Sequence, residues 1–217
     1  MRIVNAGTSW VTPEFIIDES YKLIEAAART CYHSEKQIME GSAEDITGKM
    51  MRLGHGAMLE HANLSIRFTC DRGVSHEIVR HRLASYAQES TRYCNYAADK
   101  FGHSVDFINL RPGILIEGRV KDKKTIVAIL QEWREACKDA ERHYFRMLEL
   151  GASPQIARSV LNNSTRTSLV MTANLREWLH FLNLRSDAAA HPQMREVAWQ
   201  VLELFMQKLP LVVEGLK

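Results

Sequence analysis

Residues 80–93 read Arg80-His81-Arg82-Leu83-Ala84-Ser85-Tyr86-Ala87-Gln88-Glu89-Ser90-Thr91-Arg92-Tyr93. Three arginines stand among an imidazole, an amide, a carboxylate and hydroxyls. From Ala84 onward the stretch reads as extended chain, and alternation along a strand would place Gln88, Ser90 and Arg92 on one face. An amide, a hydroxyl and a guanidinium aimed the same way make a phosphate site, because arginine grips phosphate bidentately and stays charged at any working pH. The same residues also suit a solvated face carrying surface ion pairs, and their types alone leave both readings open.

Working outward, residues 63–70 alternate, with Leu64, Ile66 and Phe68 on one face, and residues 165–172 are β-branched and apolar enough for a partly buried strand. Helical spacing dominates elsewhere. Leu23, Ile24, Ala27 and Cys31 mark a helix over 20–33, and Ser42 with Asp45 suggests a capping box opening a helix that stops at Gly54. A long amphipathic pattern runs over 123–150, carrying Ile126, Ile129, Leu130, Trp133 and Cys137, and Gly151 closes it. Shorter helices follow over 155–161, 174–185 and 192–209, whereas 99–122 reads as loop with short extended pieces. Dispersed strands among many helices predict an α+β fold: one helix-rich domain over 1–217 with a small mixed or antiparallel sheet.

A net charge of only +2 argues against nucleic acid or an anionic membrane as partner, since either would need a basic surface. The N-terminal MRIVNAGTSWVTPEF lacks a signal-peptide pattern, and no run approaches a bilayer span, so a cytoplasmic location is expected. Cys31, Cys70, Cys94 and Cys137 are scattered and predict neither disulfides nor zinc; most should be small core residues. No metal is expected either. His76 and His81 are five residues apart and so diverge around a helix, and His55 and His61 miss metal-ligand spacing in the same way. Gly54-His55-Gly56 is a helix C-cap and turn rather than a dinucleotide fingerprint. Ser90 has no base beside it in sequence, which favours an anion ligand over a nucleophile.

A second polar set lies downstream. On a helix from Asn174, Arg176 and His180 share one side, and Arg185 returns to the Asn174 face after about three turns. One stripe of this helix would pack through Trp178, Leu179, Phe181 and Leu182 while another meets a ligand; an ordinary amphipathic surface helix would carry the same pattern.

Arg80-His81-Arg82 followed by Ser90, Arg92 and Tyr93 resembles the signature of the flavin-dependent thymidylate synthases. The similarity extends to Gly54-His55 with Glu60-His61, to Ala157-Arg158 with Leu161, and to Asn174-Leu175-Arg176 with Leu184-Arg185. Asn162 and Ala87 depart from the family pattern without removing a charged group. The resemblance implies methylation of dUMP to dTMP, with methylenetetrahydrofolate as one-carbon donor, FAD as cofactor and NADPH as reductant. It implies that Glu77, Arg80, Gln88, Glu89, Ser90, Thr91, Arg92, Arg158 and Arg185 meet dUMP. Ser90, Arg92 and Arg158 would hold the phosphate, and Arg185 would act catalytically beside the pyrimidine. It further implies FAD contacts from His55, Ala57, Arg80, His81, Arg82, Leu83, Gln88, Asn174, Arg176 and His180, and a homotetramer with shared active sites. The competing reading is a non-catalytic nucleotide- or RNA-binding protein using the same arginines.

Overall fold

Alternation in two nine-residue strands organises the molecule. Leu64, Ile66, Phe68 and Cys70 point to one face, and Thr167, Leu169, Met171 and Ala173 join them from the paired strand; all are buried. The computed structural model describes residues 1–214 and 216. Its elements run β1 (Arg2–Val4), β2 (Gly7–Trp10), α1 (Glu14–Asp18), α2 (Ser20–Cys31), α3 (Ser42–Leu53), β3 (Asn63–Asp71), α4 (Arg72–Ile78) and β4 (Ala84–Gln88). After these come β5 (Asp106–Ile108), α5 (Arg111–Glu117), α6 (Lys123–Glu149), α7 (Pro154–Ala157), β6 (Arg166–Asn174), α8 (Leu175–Arg185), α9 (Pro192–Lys208) and α10 (Pro210–Val213).

The main sheet is antiparallel throughout, in the order β2-β3-β6-β4, while β1 and β5 form a separate parallel pair. The fold is therefore α+β, as expected, with its one parallel pairing outside the sheet. Strand β5 is one of the short extended pieces expected over 99–122, whereas α5 lies where that stretch suggested loop and β1 and β2 where the sequence suggested no element. Two of these strands have three residues and one has four, too short to show a period. Among the described residues no helix is long and apolar enough to cross a membrane.

The inner sheet face packs on α8 and α9. Phe68 stacks on Trp178 at 6.3 Å and meets Phe181 at 5.8 Å between ring centroids. The indole Nε1 of Trp178 donates to the Leu64 carbonyl at 3.1 Å, which satisfies its one polar atom inside the core. Helix α6 forms a second cluster, laying Cys137, Ala140 and Tyr144 against Tyr96, Val105 and Phe107.

Three local expectations change. In α2 the buried stripe is Tyr21, Ile24 and Ala28, while Leu23 and Cys31 are exposed. In α3 the N-cap is Gly41; Ser42 is already helical and its hydroxyl lies 2.7 Å from both Glu25 Oε1 and the Met39 carbonyl, so no capping box forms. Gly54 does end that helix, with φ at +70°, where glycine avoids the strain a side chain would bring. Of the cysteines only Cys70 and Cys137 are buried.

Candidate active site

Strand β3 ends at Asp71, whose side chain accepts the Val74 N–H at 2.7 Å and so starts α4. That helix carries Arg72, His76 and Glu77 and delivers the chain to His81. The backbone then turns into β4, where Tyr86 Oη lies 2.9 Å from the Ile78 carbonyl and 2.5 Å from the His81 carbonyl, pinning the turn.

Strand β4 is shorter than expected, which dissolves the proposed common face of Gln88, Ser90 and Arg92. Pairing with β6 ends at Gln88, opposite Leu169. Gln88 points inward and donates to the hydroxyls of Ser75 (3.0 Å) and Thr167 (3.3 Å). Glu89 forms an ion pair with Arg166 at 2.5 Å. Ser90 opens a turn, its carbonyl accepting from Tyr93 and Cys94 and its hydroxyl from the Arg92 N–H. Arg92 is exposed, its guanidinium 5.5 Å over the Tyr93 ring.

A chain of hydrogen bonds joins α4, His81 and α8. Arg185 Nε donates to His81 Nε2 at 3.0 Å, so that nitrogen carries the lone pair. The proton therefore sits on Nδ1, which donates to Glu177 Oε1 at 3.0 Å. Burial holds the His81 pKa below its usual value, and the Arg185 cation adds to this against the opposing pull of Glu177. On its other side Arg185 reaches Glu77 Oε2 and the Glu77 carbonyl, each at 3.0 Å. Three of its five N–H groups are thus committed, leaving one on each terminal nitrogen for a ligand.

This chain runs from one group of cavities to another. At the Glu77 end, a cavity of about 330 Å³ is lined by Arg72, His76, Thr91, Arg158, Asn162 and Asn163 among others, with no carboxylate in its wall. Arg158 Nη1 donates to Thr91 Oγ1 at 3.1 Å. A neighbouring cavity of about 350 Å³ shares His76 and Asn163 and adds Asp71, Glu77 and His191. At the other end, the His180 ring lies 5.4 Å from that of His81. There two cavities of about 420 and 380 Å³ share Met50, Gly54, Gly56 and Arg176; His55, Ala57 and Met58 line one, Leu179 and His180 the other. A Cβ built on Gly56 would stand 3.4 Å from Arg176 Nε, an ordinary van der Waals contact, so the Arg176 side chain lies directly beside the Gly56 backbone.

The residues expected to act together divide accordingly. Thr91 and Arg158 meet in one cavity, His55, Ala57, Arg176 and His180 gather at the other end, and Glu77, His81 and Arg185 connect the two. Asn174 is spent on structure, its side chain accepting the Glu177 N–H as the N-cap of α8. Arg80, Arg82 and Leu83 are exposed, and neither guanidinium has a hydrogen bond or ion pair among the described residues. The ligand atoms of His81, Glu177 and His180 lie within 4.8 Å of one another, but both His81 nitrogens are already engaged.

Two participants went unnoticed in the sequence. Glu177 had a usable signal: it is an acidic residue on the packed stripe of α8, three residues after an asparagine cap. Arg72 had none, because its partner segment at 163–165 is remote in sequence.

The family described as thymidylate synthase complementing protein matches residues 16–211, which include every site residue above. The chain belongs to this family. Relatives named flavin-dependent thymidylate synthase include one from Geobacter sulfurreducens, 33% identical over 193 residues, covering 86% of this chain and 77% of the relative. One from Corynebacterium aurimucosum is 30% identical over 218 residues, covering 96% and 84%. One from Thermococcus kodakarensis is 36% identical over 156 residues, which is 71% of this chain but only 59% of that longer relative. In this member of the family the local geometry suits a flavin nucleotide. Methionines and the Gly54–Gly56 backbone offer an apolar bed, and the free guanidinium groups of Arg80 and Arg82 are available to phosphate.

Proposed function

We infer that this chain is a flavin-dependent thymidylate synthase that converts dUMP to dTMP, with methylenetetrahydrofolate as one-carbon donor, FAD as cofactor and NADPH as reductant. The observation that carries this reading is the Glu77–Arg185–His81–Glu177 chain, which starts at the cavity adjoining the carboxylate-free cationic one and ends beside His180 at a methionine-lined one. Bound FAD would supply the hydride that reduces the transferred one-carbon unit.

The chain's own residues would bind, orient and stabilise charge. Arg158 and Thr91 would hold the nucleotide phosphate, with Arg80, Gln88, Glu89, Ser90 and Arg92 around it. Arg185 would stand by the pyrimidine, where its two remaining N–H groups meet negative charge developing on the ring. Such a fixed donor is worth a few kcal/mol because its orientation is settled before reaction. His81 is kept neutral and in one tautomer, so it orients Arg185 without adding a second positive charge. His55, Ala57, Arg176 and His180 would line the flavin side, with Arg80, His81, Arg82, Leu83 and Gln88 contributing from around it.

We also propose a homotetramer with shared sites, which Leu83 and Tyr93 support: they are 75% and 77% exposed, large and apolar, and stand within the arginine segment 80–93. A cytoplasmic location agrees with four free cysteines. Purified protein should be yellow with a flavin spectrum, and its gene should restore growth to a thymidine-requiring strain. A colourless protein that takes up no added FAD would overturn the proposal.

A further inference from the structure

The carboxylate-free cavity contains a second guanidinium that neither the sequence pattern nor the reading above uses. Arg72 lines it together with Arg158 and His76. Its side chain makes no hydrogen bond and no ion pair among the described residues, and its Nη1 is buried without a partner. A half-buried arginine ordinarily finds a carboxylate, since an unpaired cation shielded from water is costly. The acids on its own segment are otherwise committed. Asp71 caps α4 and Glu77 holds Arg185, and both line the neighbouring cavity rather than this one.

The backbone beneath Arg72 is fixed. Its N–H donates to the carbonyls of Asn163 (2.9 Å) and Thr165 (3.1 Å), and its own carbonyl accepts the Ser75 hydroxyl at 2.9 Å. The segment that anchors it therefore also supplies Asn162 and Asn163 to the cavity wall. Arg158 enters from a different element and is set by Thr91. Two guanidinium groups, held independently and without counter-ions in one small cavity, make a site for a doubly charged tetrahedral anion.

We propose that Arg72 is a phosphate-binding residue, supplying the second guanidinium that clamps the phosphate monoester of the nucleotide alongside Arg158. The proposal deepens the function inferred above and rests on it for the nucleotide, but not for the anion. With Arg92 outside this cavity in the single chain, Arg72 fills the place expected of Arg92.

The test uses the full-length protein saturated with FAD and three probes: dUMP, deoxyuridine and inorganic phosphate. Arg72→Leu should weaken dUMP and inorganic phosphate at least tenfold each and leave deoxyuridine unchanged. Arg72→Lys should restore part of the loss, which also guards against a leucine variant that folds badly. Unchanged dUMP and phosphate affinity in a folded Arg72→Leu protein, or an equal loss for deoxyuridine, would overturn the assignment. If the parent protein binds inorganic phosphate through Arg72 but not dUMP, the anion site stands and the nucleotide reading fails.

Discussion

Arg185 is the residue on which the site turns. It receives geometry from two sides, from His81 through Nε and from Glu77 through both terminal nitrogens. Arg185→Ala should keep FAD yet lose about 10²- to 10³-fold in dTMP formation, the usual loss for one preorganised donor; undiminished turnover would refute the role. Glu177 acts at one remove, by fixing which His81 nitrogen carries the proton. Glu177→Gln keeps an acceptor for that proton and should retain most activity, whereas Glu177→Ala frees the ring and should cost about 10- to 100-fold in kcat. Equal activity in the two variants would show that tautomer control is irrelevant. The same contacts fix a pH dependence. His81 has a folded pKa below its ordinary 6.5, so the unfolded chain binds the proton first as pH falls. Its contribution to stability is complete above pH 6.5 and is lost as pH drops toward the lower folded value. Thermal melts from pH 8 to 5 should show this decline, reduced in His81→Gln.

At the scale of elements, α8 is the carrier of the site, presenting Glu177, His180 and Arg185 from one rigid helix. Its start depends on Asn174, whose side chain caps the helix at 2.9 Å. Asn174→Ala should cost about 1 kcal/mol of stability and Asn174→Asp much less, read by thermal melts; a loss of FAD affinity in both with no change in melting would restore the ligand role first expected of it. This helix was legible because its apolar stripe and cap lie within twelve consecutive residues. Strands β3 and β6 were legible for a similar reason, through their alternation. The end of β4 was not. Glu89 is drawn to Arg166 and Thr91 to Arg158, both far along the chain, and these contacts pull residues 89–93 off the sheet edge. The alternation of Gln88, Ser90 and Arg92 therefore has no strand to carry it beyond residue 88. Arg72 was invisible for the same reason: what defines it is an absence of partners that only tertiary structure can show.

For the whole molecule, family membership, the α+β core and the gathering of distant arginines agree on one activity, while a few buried groups bear a cost unrelated to it. Glu196 has a carboxylate oxygen buried without a partner, and burial, with Asp71 nearby, raises its pKa. A raised carboxylate pKa means the folded state resists ionisation, so this group destabilises the fold at neutral pH. Glu196→Gln should therefore melt higher. Relief of about 1 kcal/mol, the low end for an unsatisfied buried group, corresponds to about 2–4 °C in a chain this size. An unchanged or lower melting temperature at pH 7.5 would mean that Glu196 has a compensating partner. Assembly belongs to the same scale: light scattering should give the mass of four chains, and a monomer with full activity would exclude shared sites. The most direct test of the central claim is dTMP formation by the purified protein supplied with dUMP, methylenetetrahydrofolate, FAD and NADPH. The account expects dTMP that accumulates only when FAD is present and all but disappears in Arg185→Ala. Protein that binds both FAD and dUMP yet forms no dTMP would contradict it.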